Sequence, residues 1–294
     1  MVGVAYQQRC IPLVWRCYQR HDGQVELISE LLQMIAGAVT FQQPPLVQAD
    51  RGIGTSPKLC QAVAALGWHY LFRVQNHTRL LTGKGQYVAL NRLVHKPGQQ
   101  WSGYGVVFKR RGRLRTYVHV LWGRGQAEPW CLVINDALML GDWSAIRVWQ
   151  EEGFRDLKGG GWQWQRSRVW LPEHADRLML VLALAYAWVL IYGTLALTSP
   201  DHLRRVTHGS RKRFSIFRCG LRFLTGVLAR NEPIWPRLSF ASAKRLCQNC
   251  RPPSHPMERG SANTLLFSAS GRAGFPAKSI RGVRRCQRVC SARE

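Results

Sequence analysis

Residues 178–197 form a run of twenty uncharged, almost wholly apolar positions. Wound as an α-helix, such a run is about 30 Å long, the thickness of a bilayer's hydrocarbon core. Two folds accommodate it: a membrane span, or a helix surrounded by protein. Hydropathy does not separate them, so the rest of the chain has to. Many short strand-like runs precede the stretch and nothing else in the chain is membrane-like. The first residues, Met1-Val-Gly3, lead into a strand pattern and not into a basic, then apolar, leader. The expectation is a helix buried on all sides in a large α/β core, with no stable membrane association.

The local pattern supports an α/β class. Residues 2–6 and 11–15 are apolar runs separated by Gln7-Gln8-Arg9, which reads as a β-hairpin. Val25, Ile28, Leu31, Leu32, Ile35 and Val39 form a helical stripe that Pro44-Pro45 ends. Residues 46–49 read as a short buried strand ending at Asp50. Arg51-Gly52-Ile53-Gly54 is a turn, and Thr55 or Ser56 is placed to cap a helix from Pro57 to about Leu66. Gly67 closes that helix, and residues 68–74 form the next strand. Strand, helix and strand in this spacing predict a parallel crossover. Residues 80–135 then read as strands separated by Arg/Gly turns, a β-rich insertion, and from Trp143 to Lys158 the period becomes helical.

Charge narrows the partners. Lys and Arg number 42 against 16 Asp and Glu, a net charge of +26. Such a surplus on a chain that is 46% hydrophobic excludes an acidic or wholly disordered protein. It calls for a polyanion, with nucleic acid first and an anionic membrane surface second. Residues 201–294 hold 20 of the basic side chains and only 4 acidic ones, so a basic tail follows a moderately basic body. From about residue 245 the tail is rich in Pro, Ser, Gly and Arg and reads as disordered. Lys109-Arg-Arg111, Arg113 and Arg115 sit near Tyr104, Phe108 and Tyr117. That mixture suits phosphates and an unpaired base, or equally an ordinary solvated turn. Arg211-Lys-Arg213 and Arg284-Arg285 read as generic phosphate binders. Nine cysteines, an odd number, point to free thiols in a reducing, cytoplasmic compartment. Cys247 and Cys250 with Cys286 and Cys290 have spacings that two halves of a zinc site could use, but incidental tail cysteines are the favoured reading.

Two segments carry chemistry. Ala49-Asp50-Arg51-Gly52 sets a carboxylate at the C-terminal end of a strand, where sites form in parallel α/β sheets. The plain alternative is a turn Asp that caps the next helix. In the second segment Arg147, Glu151 and Lys158 are spaced by four and seven residues, one face of a helix. There the plain alternative is a solvated helix laced with ion pairs. Together, the two acids flanked by cations suit hard divalent cations held against a phosphodiester.

Gln150-Glu-Glu-Gly-Phe-Arg-Asp-Leu-Lys158 and Gly161-Trp-Gln-Trp164 resemble the Tyr-Arg-Glu-Lys signature of bacterial DDE transposases of the insertion-sequence-four group. Ala49-Asp-Arg-Gly52, Leu66-Gly-Trp-His-Tyr70 and Arg73-Val resemble that group's second-acid segment. The resemblance covers roughly residues 1–225 and implies a ribonuclease H-like core. That core comprises residues 1–79 and 141–225, a β-rich insertion at 80–140 between the second and third catalytic carboxylates, and a tail at 226–294. It implies Asp50 and Glu151 as catalytic and metal-binding acids, Arg147 and Lys158 as DNA-binding residues, and Mg²⁺ or Mn²⁺ as cofactor. The implied partner is double-stranded DNA, both transposon ends and target, bound by a homodimer in a synaptic complex. Two departures accompany it. Ser144 stands at the signature's tyrosine, and the strand carrying the family's first Asp would precede the hairpin at residues 2–15. Asp22 lies after that hairpin, out of place. The implied reading is therefore an N-terminally truncated transposase that does not cut DNA alone, or a non-catalytic DNA-binding remnant.

Overall fold

The computed structural model describes residues 1–18, 23–108, 112–139, 147–207, 214–234 and 264–267. A single mixed sheet of ten strands organises these residues. β1 (Val2–Tyr6) and β2 (Arg9–Val14) form the expected hairpin. Its two-residue turn puts Gln7 at φ 46° and Gln8 at φ 62°. Tight hairpins need this left-handed backbone to match strand twist, and residues with a Cβ adopt it at a cost.

α1 (Gln24–Ala38) buries Ile28, Leu31, Leu32 and Ile35, the stripe read from the sequence. β3 (Leu46–Ala49) is buried throughout. α2 (Pro57–Ala65) starts at Ser56, whose hydroxyl accepts from the Leu59 amide, with Pro57 in the first turn. β4 (His69–Val74) returns parallel to β3, completing the expected crossover. Val47 and Ala49 pack with α1 and α2 in the largest core cluster, joined by Phe72, Val74 and Val133.

The strand-rich stretch supplies β5 (Arg79–Leu81), β6 (Tyr87–Ala89), β7 (Gln100–Val107), β8 (Leu114–Leu121) and β9 (Trp130–Ile134). β9 pairs antiparallel with β4, so these strands extend the same sheet. Alternate residues of β9 therefore enter two cores: Cys131 and Val133 the α1/α2 cluster, Leu132 and Ile134 a smaller one with Leu46 and Leu71. The motif helix is α3 (Arg147–Leu157). α4 (Pro172–Thr198), α5 (Pro200–Thr207) and α6 (Ile216–Ala229) follow.

Two observations depart from expectation. α4 is long and apolar enough to cross a membrane by length and composition. However, it is buried on one side only. Met179, Tyr186, Val189 and Leu190 pack with Ile216 and Phe217 of α6, while Leu180, Val181, Leu184 and Trp188 stay exposed. Among the described residues, α6, α5 and β2 pack against it and cover only part of its apolar surface. Second, within the tail, Thr264–Phe267 forms a strand, β10. It is inserted between β1 and β3, giving the order β2-β1-β10-β3-β4-β9-β8-β7-β5-β6. Four consecutive residues of good strand propensity suffice there because both neighbours offer unpaired backbone. The expected free thiols are present among the described residues, and burial pushes those of Cys10, Cys60 and Cys131 each up to about 12 and keeps them protonated and unreactive. The cysteines considered for zinc, Asp22, Ser144, and the clusters at 109–111, 211–213 and 284–285 lie outside the described residues.

α4 and α6 touch at glycines. A Cβ on Gly220 would fall against the Val189 carbonyl oxygen, and one on Gly193 against that of Ile216. Gly220→Ala should therefore lower the melting temperature markedly, by separating helices that cannot shift independently. Gly at position 8 should act oppositely: Gln8→Gly is expected to stabilise by about 1 kcal/mol, read as a raised urea midpoint, because the left-handed turn then costs little.

Candidate active site

Asp50 closes β3. Its Oδ1 accepts from the amides of Gly52 at 3.0 Å and Ile53 at 3.3 Å, and its carbonyl accepts from Gly54 at 2.6 Å. The carboxylate thus closes its own turn, while Ser56 and not Asp50 caps the next helix, and Oδ2 takes no part in those bonds. The tightness of the turn requires glycine at 54, where a Cβ would come 2.5 Å from the Arg73 carbonyl oxygen.

A lone acid braces the turn. Glu128 Oε1 accepts from Arg51 Nη1 at 2.6 Å and Arg73 Nη2 at 3.2 Å, and Oε2 accepts from Asn76 Nδ2 at 2.8 Å. Arg73 also lies over the Trp130 ring, 4.8 Å from its centroid. Thr55 links the turn to the end of β4: its hydroxyl donates to the Arg51 carbonyl and accepts from the Gln75 amide. Sequence reasoning passed over Glu128. The available signal was its isolation, for it is the one acid between Asp50 and Asp136.

α3 lies on β2, β1 and β10. Its inner face holds Gln150, Gly153, Asp156 and Leu157, and Gly153 packs against the backbone of Cys10, 3.0 Å from its carbonyl oxygen to an added Cβ. Asp156 Oδ2 accepts from Arg9 Nε at 2.5 Å and from the Tyr186 hydroxyl at 3.2 Å. Arg9 Nη2 also stands 3.8 Å from Glu152, which pairs with Arg155 at 2.8 Å. Burial pushes the Asp156 carboxyl above its ordinary range, and the Arg9 guanidinium offsets part of that rise. Arg9 and Asp156 were likewise missed. Arg9 looked like a turn residue, and only the i, i+4 pairing of Glu152 with Asp156 on one helix stripe hinted at a shared cation.

Glu151 faces outward on the same helix, away from that buried pair. Arg147 opens α3. Lys158 lies just past its end, where its amide still bonds the Phe154 carbonyl, so the 147–151–158 face persists. The Lys158 ammonium is half-buried, 5.4 Å from the Phe154 ring centroid, and burial lowers its pKa. The helix then ends abruptly at Gly159-Gly-Gly161: the Trp162 amide bonds the Asp156 carbonyl, and the Trp162 ring meets Tyr186 and Phe217 edge-on. Asp50 and Glu151 therefore stand on separate elements, a strand end and a helix that reaches the neighbouring strand β10. Strand alternation turns Asp50, like Gln48, away from the side chains that meet α1 and α2. Among the described residues no three His, Cys, Asp or Glu side chains gather as a metal site.

Residues 6–188, more than half of the chain, match the transposase DDE domain. The chain belongs to that family. No curated protein matches it. The mixed α/β architecture is consistent with a ribonuclease H-like transposase domain, and the matched stretch of this family member contains β3, the braced Asp50 turn and α3. Domains of this family generally use divalent metals and act on DNA.

The buried pair makes a direct prediction. Asp156→Asn leaves Arg9 charged and buried with its main partner gone. The expected loss is about 3–5 kcal/mol, measured by chemical denaturation. An unchanged midpoint would show that the pair does not anchor α3.

Proposed function

We propose that this transposase-family chain is of the insertion-sequence-four type and that it binds double-stranded DNA, transposon ends and target, through the outer face of α3. In this reading Asp50 and Glu151 are the second and third acids of the family's trio. Arg147 and Lys158 hold phosphates of the transposon end, and two copies act together in a synaptic complex. The motif wording around residues 49–52 and 150–158, the family match and the net charge of +26 support it. So does the placement of Glu151 on the outward face of α3.

Carboxylate oxygens suit Mg²⁺ or Mn²⁺, and Asp50 and Glu151 are the residues that would hold it. The motif wording at residues 49–52 and 150–158 carries this reading, for it accounts for two of the trio's acids. In it the chain binds DNA but does not cut it alone. The second reading is a non-catalytic subunit that occupies ends beside an active one.

Labelled transposon-end DNA with Mn²⁺ tests both. Binding without strand cleavage, in the parent and in Glu151→Ala alike, is the expected result. Cleavage by the parent that Glu151→Ala abolishes would overturn it. Arg147→Ala and Lys158→Ala should each weaken binding and lower the slope of log affinity against log salt by about one.

A further inference from the structure

The donors around Glu128 are better fixed than Glu128 itself. Three of them meet its carboxylate: Arg51 and Arg73 at Oε1, and the Asn76 side-chain amide at Oε2. All belong to the frame of the sheet. Arg51 lies in the turn that Thr55 ties to the end of β4. Arg73 is on β4 with its guanidinium over the Trp130 ring, and Asn76 follows that strand, its carbonyl accepting from the Asn91 amide. Glu128 comes instead from the connection between β8 and β9, and its side chain is 42% exposed. An ion pair open to water contributes little, so Glu128 can leave at small cost while its donors stay in place.

The register gives these donors a chemical setting. Ala49 pairs with Phe72, so Asp50 comes level with Arg73 on the neighbouring strand, about 4.8 Å away. Phe72 and Val74 enter the α1/α2 core, so Arg73 faces the other side of the sheet, the side that Asp50 faces. A carboxylate and a backbone phosphodiester each present two terminal oxygens and one negative charge, and guanidinium groups bind both through the same N–H donors. Two guanidiniums around one carboxylate leave a positive charge in excess, which suits an anion that belongs to a polyanion.

We propose that Glu128 is an internal stand-in for a nucleic-acid phosphate. Arg51, Arg73 and Asn76 form a phosphodiester site beside Asp50, and the DNA backbone enters it by expelling the Glu128 carboxylate. In the free chain Glu128 keeps the two arginines paired and the site closed to other anions. When DNA binds, one phosphate takes the same three donors and Glu128 turns into solvent. Glu128 therefore lowers the affinity for DNA. The nucleic-acid part of this inference rests on the proposed DNA binding; the anion site itself does not.

Two measurements on the full chain test it. The first is affinity for a labelled duplex. Glu128→Ala should tighten binding at least about ten-fold, and Glu128→Gln, which keeps an acceptor oxygen and loses the charge, should fall in between. Glu30→Ala makes the same change of charge on the exposed side of α1, across the sheet, and should alter affinity by no more than about two-fold. In an Arg51→Ala background the gain from Glu128→Ala should shrink to that of Glu30→Ala. A gain that persists in full without Arg51, or weaker binding in Glu128→Ala, overturns the stand-in. If Glu128→Ala is insoluble, Glu128→Gln decides: affinity no better than that of Glu30→Ala overturns the proposal. The second measurement uses inorganic phosphate and follows the NMR signal of the Asn76 side-chain amide. Millimolar phosphate should shift that signal in the soluble Glu128 variant and not in the parent, and no shift in the variant overturns the anion site. Phosphate binding without any gain in DNA affinity would assign the site to a free anion and overturn the place given to the DNA backbone. Failure of the parent and every variant to bind the duplex, with the phosphate response intact, would overturn the DNA-binding reading and support the anion site.

Discussion

Arg9 and Asp156 are 147 residues apart in sequence and 2.5 Å apart in the fold, both buried. A buried guanidinium or carboxylate is costly alone, so each holds the other in place. The pair joins the turn of the first hairpin to α3, and the Tyr186 hydroxyl extends it to α4. Three parts of the chain thereby share one charge pair. Its position on the inner stripe of α3 also sets the helix rotation: with Asp156 turned inward, Glu151 must face outward. Gly153 makes the same choice sterically, since only a residue without a side chain lets the helix approach Cys10 so closely.

The Asp50 turn is held by a different device. Glu128 gathers Arg51, Arg73 and Asn76, and Thr55 ties the turn to the end of β4. Because β9 pairs with β4, the loop bearing Glu128 comes from the strand-rich stretch and yet braces the central strands. The added strands are thus mechanically part of the frame that holds Asp50. The hydrogen bonds of Oδ1 to Gly52 and Ile53 orient the carboxylate, so its turn-closing role and its proposed ligand role use the same geometry.

Much of the fold was legible because its signals are local. The hairpin, α1, β3, α2 and β4 follow from periodicity, prolines, glycines and the Ser56 cap. The candidate acids were found by motif spacing, which a helix converts directly into a face. What escaped had no local signature. The one-sided burial of α4 depends on which described elements, α6, α5 and β2, pack against it. Thr264–Phe267 is a short apolar run in a Pro-, Ser- and Arg-rich context, and nothing near it in sequence forecasts a strand. Glu128 and Arg9 looked like turn residues.

The sequence by itself determined the element types over most of the described chain, the basic character and the motif wording that marks a transposase domain. Each of these rests on neighbouring residues or on composition. Only the tertiary structure decided that Arg9 meets Asp156, that Glu128 braces Asp50, and that a segment of the tail completes the sheet beside β3. Those pairings join residues far apart in the chain. Their energies come from burial and from unpaired strand edges, neither of which exists until the chain has folded.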